Sequence, residues 1–192
     1  MNYKWMRTYL NLWRIAPTYL FSLRCKYSKK IEQDLDAWIK DREPIVCDSK
    51  FMAYGYYMVN YKELRNIILN RFHHNPAMYC ITKILFPPME TLYIHTSPEK
   101  IGGGFFIRHG FATIVVADEI GENCCIYQQV TIGYNKDEKP QIGNNVTVYA
   151  GAIVVGGIEI GDNAAIGAGA VVTNNVNSND VVVGCPARRI RD

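Results

Sequence analysis

From Ile142 to Val172 an aliphatic residue returns at every sixth position: Ile142, Val148, Val154, Ile160, Ile166 and Val172. A helix repeats every 3.6 residues and a strand every 2, so neither produces a period of six. Four residues after each of the first five stands a second apolar or small residue, at Val146, Ala152, Ile158, Ala164 and Ala170. Glycine follows the repeat position at Gly143, Gly161 and Gly167. A chain with this pattern folds as a parallel β-helix, in which each short strand is one side of a triangular coil and the aliphatic column points inward.

The register extends backward with two interruptions. Ile120, Ile126 and Ile132 are in step, and then a polar stretch, GYNKDEKPQ (Gly133 to Gln141), predicts a loop protruding before Ile142. Ile101 and Ile107 are also in step, but Ile114 arrives one residue late. The segment holding the extra residue contains His109, the sole histidine within the register. Counted this way the repeat fills about four coils.

The first ninety residues read differently. Tyr3 to Leu23 mixes aromatic, aliphatic and basic residues at loosely helical spacing around Pro17, and Ile31 to Lys40 and Tyr61 to Phe72 read as amphipathic helices. Pro87-Pro88 ends this part, which places a helical N-terminal domain over 1–92 and the β-helix with a C-terminal tail over 93–192. The fold class is therefore α+β.

A net charge of +3 and the absence of a basic stripe in the repeat argue against nucleic-acid binding. Six cysteines without metal-like spacing read as reduced thiols of a cytoplasmic protein. Residues 1–30 carry seven basic side chains and no acidic one. A signal peptide is disfavoured by Arg14 and Pro17, and a transmembrane helix by length. The preferred reading is a helix docked on the protein, its basic face balanced by acids between Glu32 and Glu43; peripheral contact with an anionic membrane is the lesser one.

IRHGFATIVV (Ile107 to Val116), QQVTIG (Gln128 to Gly133), IGAGAVV (Ile166 to Val172) and VGCPARRI (Val183 to Ile190) together resemble hexapeptide-repeat acyltransferases, and among them the serine acetyltransferase group. The resemblance covers residues about 94–192. YKELRNIILNRF is similar to the segment preceding the β-helix in serine acetyltransferase-like proteins of polysaccharide gene clusters. It implies a left-handed coil, acetyl-CoA as co-substrate, no metal, and a homotrimer with active sites between subunits. It also implies that His109 is the general base and that Gly133, Ala150, Gly151, Gly167 and Ala168 border the acetyl-CoA groove. Arg188 and Arg189 are candidates for its phosphates.

The chemistry suits these residues. A hydroxyl becomes an adequate nucleophile for a thioester when a base removes its proton, and neutral imidazole does so near pH 7. Counting one coil on, Gln128 is expected to stack on His109 and orient it or an incoming carbonyl. His95, just before the first coil, is a weaker substrate-site candidate. The family's aspartate before the histidine is Arg108 here, and its loop Arg-His pair is replaced by a segment offering Lys139. L-serine, a sugar hydroxyl and an anionic acceptor therefore all stay open. So does the carboxylate partner of His109, for which Glu99, Asp118 and Glu119 are candidates. A γ-class carbonic anhydrase would need three histidines around a metal, and only His95 and His109 lie near the coils. N-acetylation of an amino sugar and a non-catalytic trimeric scaffold are the remaining alternatives; CoA would not stabilise the scaffold thermally.

Overall fold

A computed structural model describes residues 3–41 and 49–190. Cys47 and Glu43 lie outside the described residues. Six helices come first: α1 (Tyr3–Leu10), α2 (Leu12–Ser22), α3 (Ser28–Asp41), α4 (Lys50–Asn60), α5 (Lys62–Phe72) and α6 (Pro76–Leu85). Two of these escape the periodicity reading. Helix α4 is buried continuously from Ala53 to Val59, so it has no polar face to mark a period. Its Gly55 passes so close to α2 that a Cβ there would lie 2.6 Å from Ile15 Cδ1. Helix α6 opens with Asn75, whose side chain accepts from Met78 N, followed by Pro76 in the first turn.

The rest is a three-sided parallel solenoid. One sheet stacks β1 (Leu92–Ile94), β3 (Thr113–Val115), β6 (Thr131–Gly133), β9 (Ile153–Val155) and β12 (Val171–Val172). A second stacks β4 (Glu119–Ile120), β7 (Gln141–Ile142) and β10 (Glu159–Ile160), extended at its ends by bridges Ile101 to Ile120 and Ile160 to Val176. The third stacks β2 (Phe106–Ile107), β5 (Cys125–Ile126), β8 (Thr147–Val148), β11 (Ala165–Ile166) and β13 (Val181–Val183), with β14 (Arg188–Arg189) folded back antiparallel on β13. Each side thus has five rungs, so there are five coils rather than four. The sides missed are Leu92–Ile94, Val176 and Val182. They escape a six-residue count because Val176 follows Val172 by only four residues and Ile101 follows Ile94 by seven.

The interior column is as the repeat requires, with Ile107, Ile126, Val148, Ile160, Ile166 and Val172 all buried. One register assignment changes. The residue paired with Ile132 is Val115, which is buried, whereas Ile114 faces outward. The step from Ile107 is therefore eight residues, two more than the repeat, and the step on to Ile120 is only five. At the corner after the second sheet, Asn123, Asn145, Asn163 and Asn179 all adopt left-handed backbone with φ between 55° and 64°. Asn tolerates that region better than other side chains, and the later three are linked by amide hydrogen bonds of 3.1 and 3.2 Å.

The helices close the first coil. Trp38 of α3 is fully buried and meets the Phe106 ring at 4.8 Å. Asp34 and Arg71, both with no exposed surface, pair at 2.9 Å between α3 and α5. Arg71 donates onward to the carbonyls of Pro98, Ile101 and Gly102, and Asp34 Oδ1 accepts from Phe105 N. A buried pair is tolerable when its remaining hydrogen-bonding capacity is used in this way. The other acids of α3 are also engaged. Glu32 and Asp36 pair with Lys50, and Asp41 with Arg108, so they do not balance the basic N-terminus as expected.

Candidate active site

The edge between the third and first sheets carries most of the candidate residues. The pairing of Ile126 with Val148 and of Val148 with Ile166 stacks Gln128, Ala150 and Ala168 two residues further on. The next position holds Gln129, Gly151 and Gly169, all in left-handed backbone with φ of 57°, 72° and 67°. Gly151 N donates to Gln128 O at 3.0 Å, and Gly169 N to Ala150 O at 2.9 Å, which repeats the corner in each coil. A Cβ on Gly169 would meet nothing within 4 Å, and one on Gly151 only Gly169 at 3.9 Å. The edge is thus an open track floored by small residues and backbone.

His109 stands at the foot of this track. Gln129 N donates to Phe111 O, just as Gly151 N does to Gln128 O, so the coil equivalent of Gln128 is Phe111. His109 and Gly110 are a two-residue insertion in the corner, and the expected equivalence of His109 with Gln128 does not hold. Both inserted residues are left-handed, with φ of 67° and 39°. For histidine that conformation costs roughly 1–2 kcal/mol, a strain characteristic of functional segments. The imidazole is exposed. Gln128 Oε1, by contrast, is buried without a hydrogen-bond partner, which leaves an acceptor at the edge ready for an incoming N–H.

Two acidic groups that the sequence gave no reason to place here flank the insertion. A Cβ on Gly110 would lie 3.0 Å from Cγ of Glu63, a buried residue in the first turn of α5. Asp41, at the end of α3, pairs with Arg108. The Arg108 guanidinium lies 5.5 Å from the Phe106 ring centroid and 5.3 Å from that of Tyr127, which itself meets Tyr149 at 5.1 Å. Burial opposes the Arg108 charge, and Asp41 more than offsets it, holding the pKa above its ordinary value. Glu63 was hidden because it lies on a separate element far back in sequence; its one signal is an acid opening the helix that the resemblance already singled out.

The tail caps the top of the track. After Gly184, left-handed at φ 91°, the chain turns back so that Ala187 N donates to Val171 O and Arg188 pairs with Val183. Arg189 forms an ion pair with Asp180 at 2.9 Å. Arg188 is exposed and donates to the neighbouring Ala187 carbonyl at 3.0 Å. From the His109 corner to this tail is four rungs, about 19 Å at a strand spacing of about 4.8 Å.

Other candidates lie elsewhere. Gly167 sits under β13, where a Cβ would press to 2.6 Å on Val183 Cγ1, so its need for glycine is a packing need. Gly133 ends β6 at the opposite end of the first sheet, beneath the loop. That loop folds down instead of projecting freely: Asn135 and Glu138 bridge, and Cβ atoms on Gly156 and Gly157 would strike them. Lys139 lies over the Tyr134 ring there, away from His109 within one chain. His95 follows β1 at that same far end, stacked on Tyr93 in a groove of about 710 Å³ shared with Asn70 and His73. Of the proposed carboxylate partners, Glu99 binds the Tyr27 hydroxyl and Asp118 binds Lys100. None of these residues is brought to His109.

Comparison with known proteins agrees with this architecture. A family model described as bacterial transferase hexapeptide (six repeats) matches residues 139–174. The chain is 40% identical over 143 residues to a serine acetyltransferase of Synechocystis, covering 68% of this chain and 56% of that protein. It is 45% identical over 96 residues to that of Synechococcus elongatus, covering 47% of this chain and 39% of the relative. The chain thus spans about half the length of the curated relatives it matches. Among solved structures, the serine acetyltransferase of Neisseria gonorrhoeae in complex with serine is matched over all of this chain and 84% of that one, at 25% identity and a TM-score of 0.66. The soybean enzyme complexed with serine is matched over 90% and 72%, at 25% identity and a TM-score of 0.63. By sequence and fold the chain is similar to serine acetyltransferases built on the hexapeptide repeat, and a left-handed β-helix is what this likeness implies.

Proposed function

We propose that this protein is an acetyl-CoA-dependent O-acetyltransferase in which His109 is the general base and L-serine the first acceptor to consider. The observation that carries the reading is His109 in a strained insertion at the foot of an open, small-residue track, with the Glu63 helix packed against its neighbour Gly110. The neutral imidazole takes the acceptor's hydroxyl proton as its oxygen attacks the thioester carbonyl. The tetrahedral intermediate then collapses, expelling the CoA thiolate, which recovers the proton from His109. The track from Gln128 past Ala150, Gly151 and Ala168 holds the pantetheine arm, with the buried Gln128 Oε1 accepting from one of its amides. Arg188 meets the phosphates at the top.

Serine is a zwitterion and needs both signs of charge beside the hydroxyl. Arg108 supplies a cation for its carboxylate, and Asp41 beside it supplies an anion that the sequence alone left unassigned. A second reading, a sugar hydroxyl, is favoured by the neighbouring rings of Tyr127 and Tyr149, which offer an aromatic surface beside the track. The outward column of the first sheet reads Tyr93, Ile114, Thr131, Ile153, Val171, with exposed apolar side chains suited to packing on another copy. That supports a homotrimer with the track at the subunit boundary and Lys139 of the loop reaching a neighbouring site. Cytoplasmic location fits the free cysteines and the lack, among the described residues, of a helix long and apolar enough to cross a membrane.

The test is product analysis with acetyl-CoA and either serine or a panel of sugars. A hydroxylamine-labile acetyl ester supports the proposal; a resistant amide identifies an amine acceptor instead. Absence of acetylated product from any acceptor removes the proposal.

A further inference from the structure

Helices α1 and α2 bury one face and expose large apolar side chains on the other. One face, with Thr8, Ile15, Thr18 and Ser22, is buried against the remaining helices. The other runs Tyr3, Met6, Leu10, Trp13, Leu20, with 65, 42, 70, 70 and 54% of each side chain's surface exposed. These positions follow steps of three and four, interrupted where Pro17 holds the intervening place, so they form a single stripe along the rod. Scattered exposed apolar residues are ordinary, but a continuous stripe with two large aromatic rings marks an interaction surface.

Charge identifies the partner. No acidic residue occurs before Glu32, and the exposed cations Arg7, Arg24 and Lys26 lie along or beside this segment. Among the described residues none of the three is ion-paired with a carboxylate. The acids of α3 that could have neutralised them are committed to Lys50, Arg71 and Arg108. A second copy packed stripe to stripe would bring an equally acid-free segment against these cations. An anionic lipid surface meets both halves of the feature, taking the apolar stripe into its interfacial layer and the cations onto its headgroups. We infer that α1 and α2 form a peripheral docking surface for an anionic membrane, which would hold the β-helix at the lipid surface without spanning it.

Flotation of the full-length protein with vesicles tests this. Phosphatidylcholine vesicles containing about a third phosphatidylglycerol would be compared with pure phosphatidylcholine vesicles, at low and at high salt. The double variant Leu10→Glu/Trp13→Glu alters exposed side chains only, and circular dichroism and light scattering would verify its fold and mass. The expected result is co-flotation with the anionic vesicles alone, reduced by salt and about tenfold weaker in the variant. No flotation at low salt overturns the inference, as does equal binding to neutral vesicles. A fall in oligomer mass in the variant, with lipid binding unchanged, would show the stripe to be a contact between copies and would also overturn it.

Discussion

At the scale of single residues, the decisive positions are those where the regular coil gives way. Two extra residues after Arg108 force His109 and Gly110 into left-handed backbone and turn the imidazole outward at the edge. Glycine at 110 is explained by contact as well as by φ, because the Glu63 side chain occupies the space a Cβ would need. We assign Glu63 a positioning role toward His109. Replacing it with Gln should lower kcat roughly a hundredfold while leaving the KM for acetyl-CoA nearly unchanged, and Asp should restore part of the loss. Steady-state kinetics on the three proteins would check this; a rise in the KM for serine at constant kcat would make Glu63 an acceptor-binding group instead. The histidine itself was legible in the sequence because it interrupts a period. Glu63 and Asp41 were not, since a contact between a helix and a coil dozens of residues away leaves no trace in local spacing.

At the scale of elements, the repeat exposes its own architecture because each buried side chain returns at a fixed interval. The reading weakened wherever corners changed length. Val115 replaced Ile114 in the column, and the short corner before Val176 concealed the last coil. Helix α4 failed for the opposite reason: a segment buried all round has no polar face from which to read a period. Two substitutions test the elements that hold the site. Gly151→Val places a branched side chain on the open track in left-handed backbone, so it should cost about 1–2 kcal/mol of stability and raise the KM for acetyl-CoA. Urea unfolding and initial-rate kinetics would report the two effects separately. Asp34→Asn leaves the buried Arg71 charge without its counter-ion between α3, α5 and the first coil, and should destabilise the protein by about 3–5 kcal/mol in the same unfolding assay.

At the scale of the whole molecule, three surfaces divide the work. In the proposed function the edge between two sheets is the reaction track and the outward apolar column of the first sheet is the face toward other copies, while the α1–α2 stripe is exposed on the helical base. The helices also act beyond capping, since α3 and α5 bring Asp41 and Glu63 to the corner of the coil that carries His109. Release of CoA from acetyl-CoA, read with a thiol reagent, tests whether this assembly is catalytic. Wild type and His109→Ala would be compared with serine, with sugars and with no acceptor. Acceptor-dependent release by the wild type is expected, with a loss of about a hundredfold or more in the variant and acetyl-CoA still bound. Undiminished turnover in His109→Ala would contradict the role of His109.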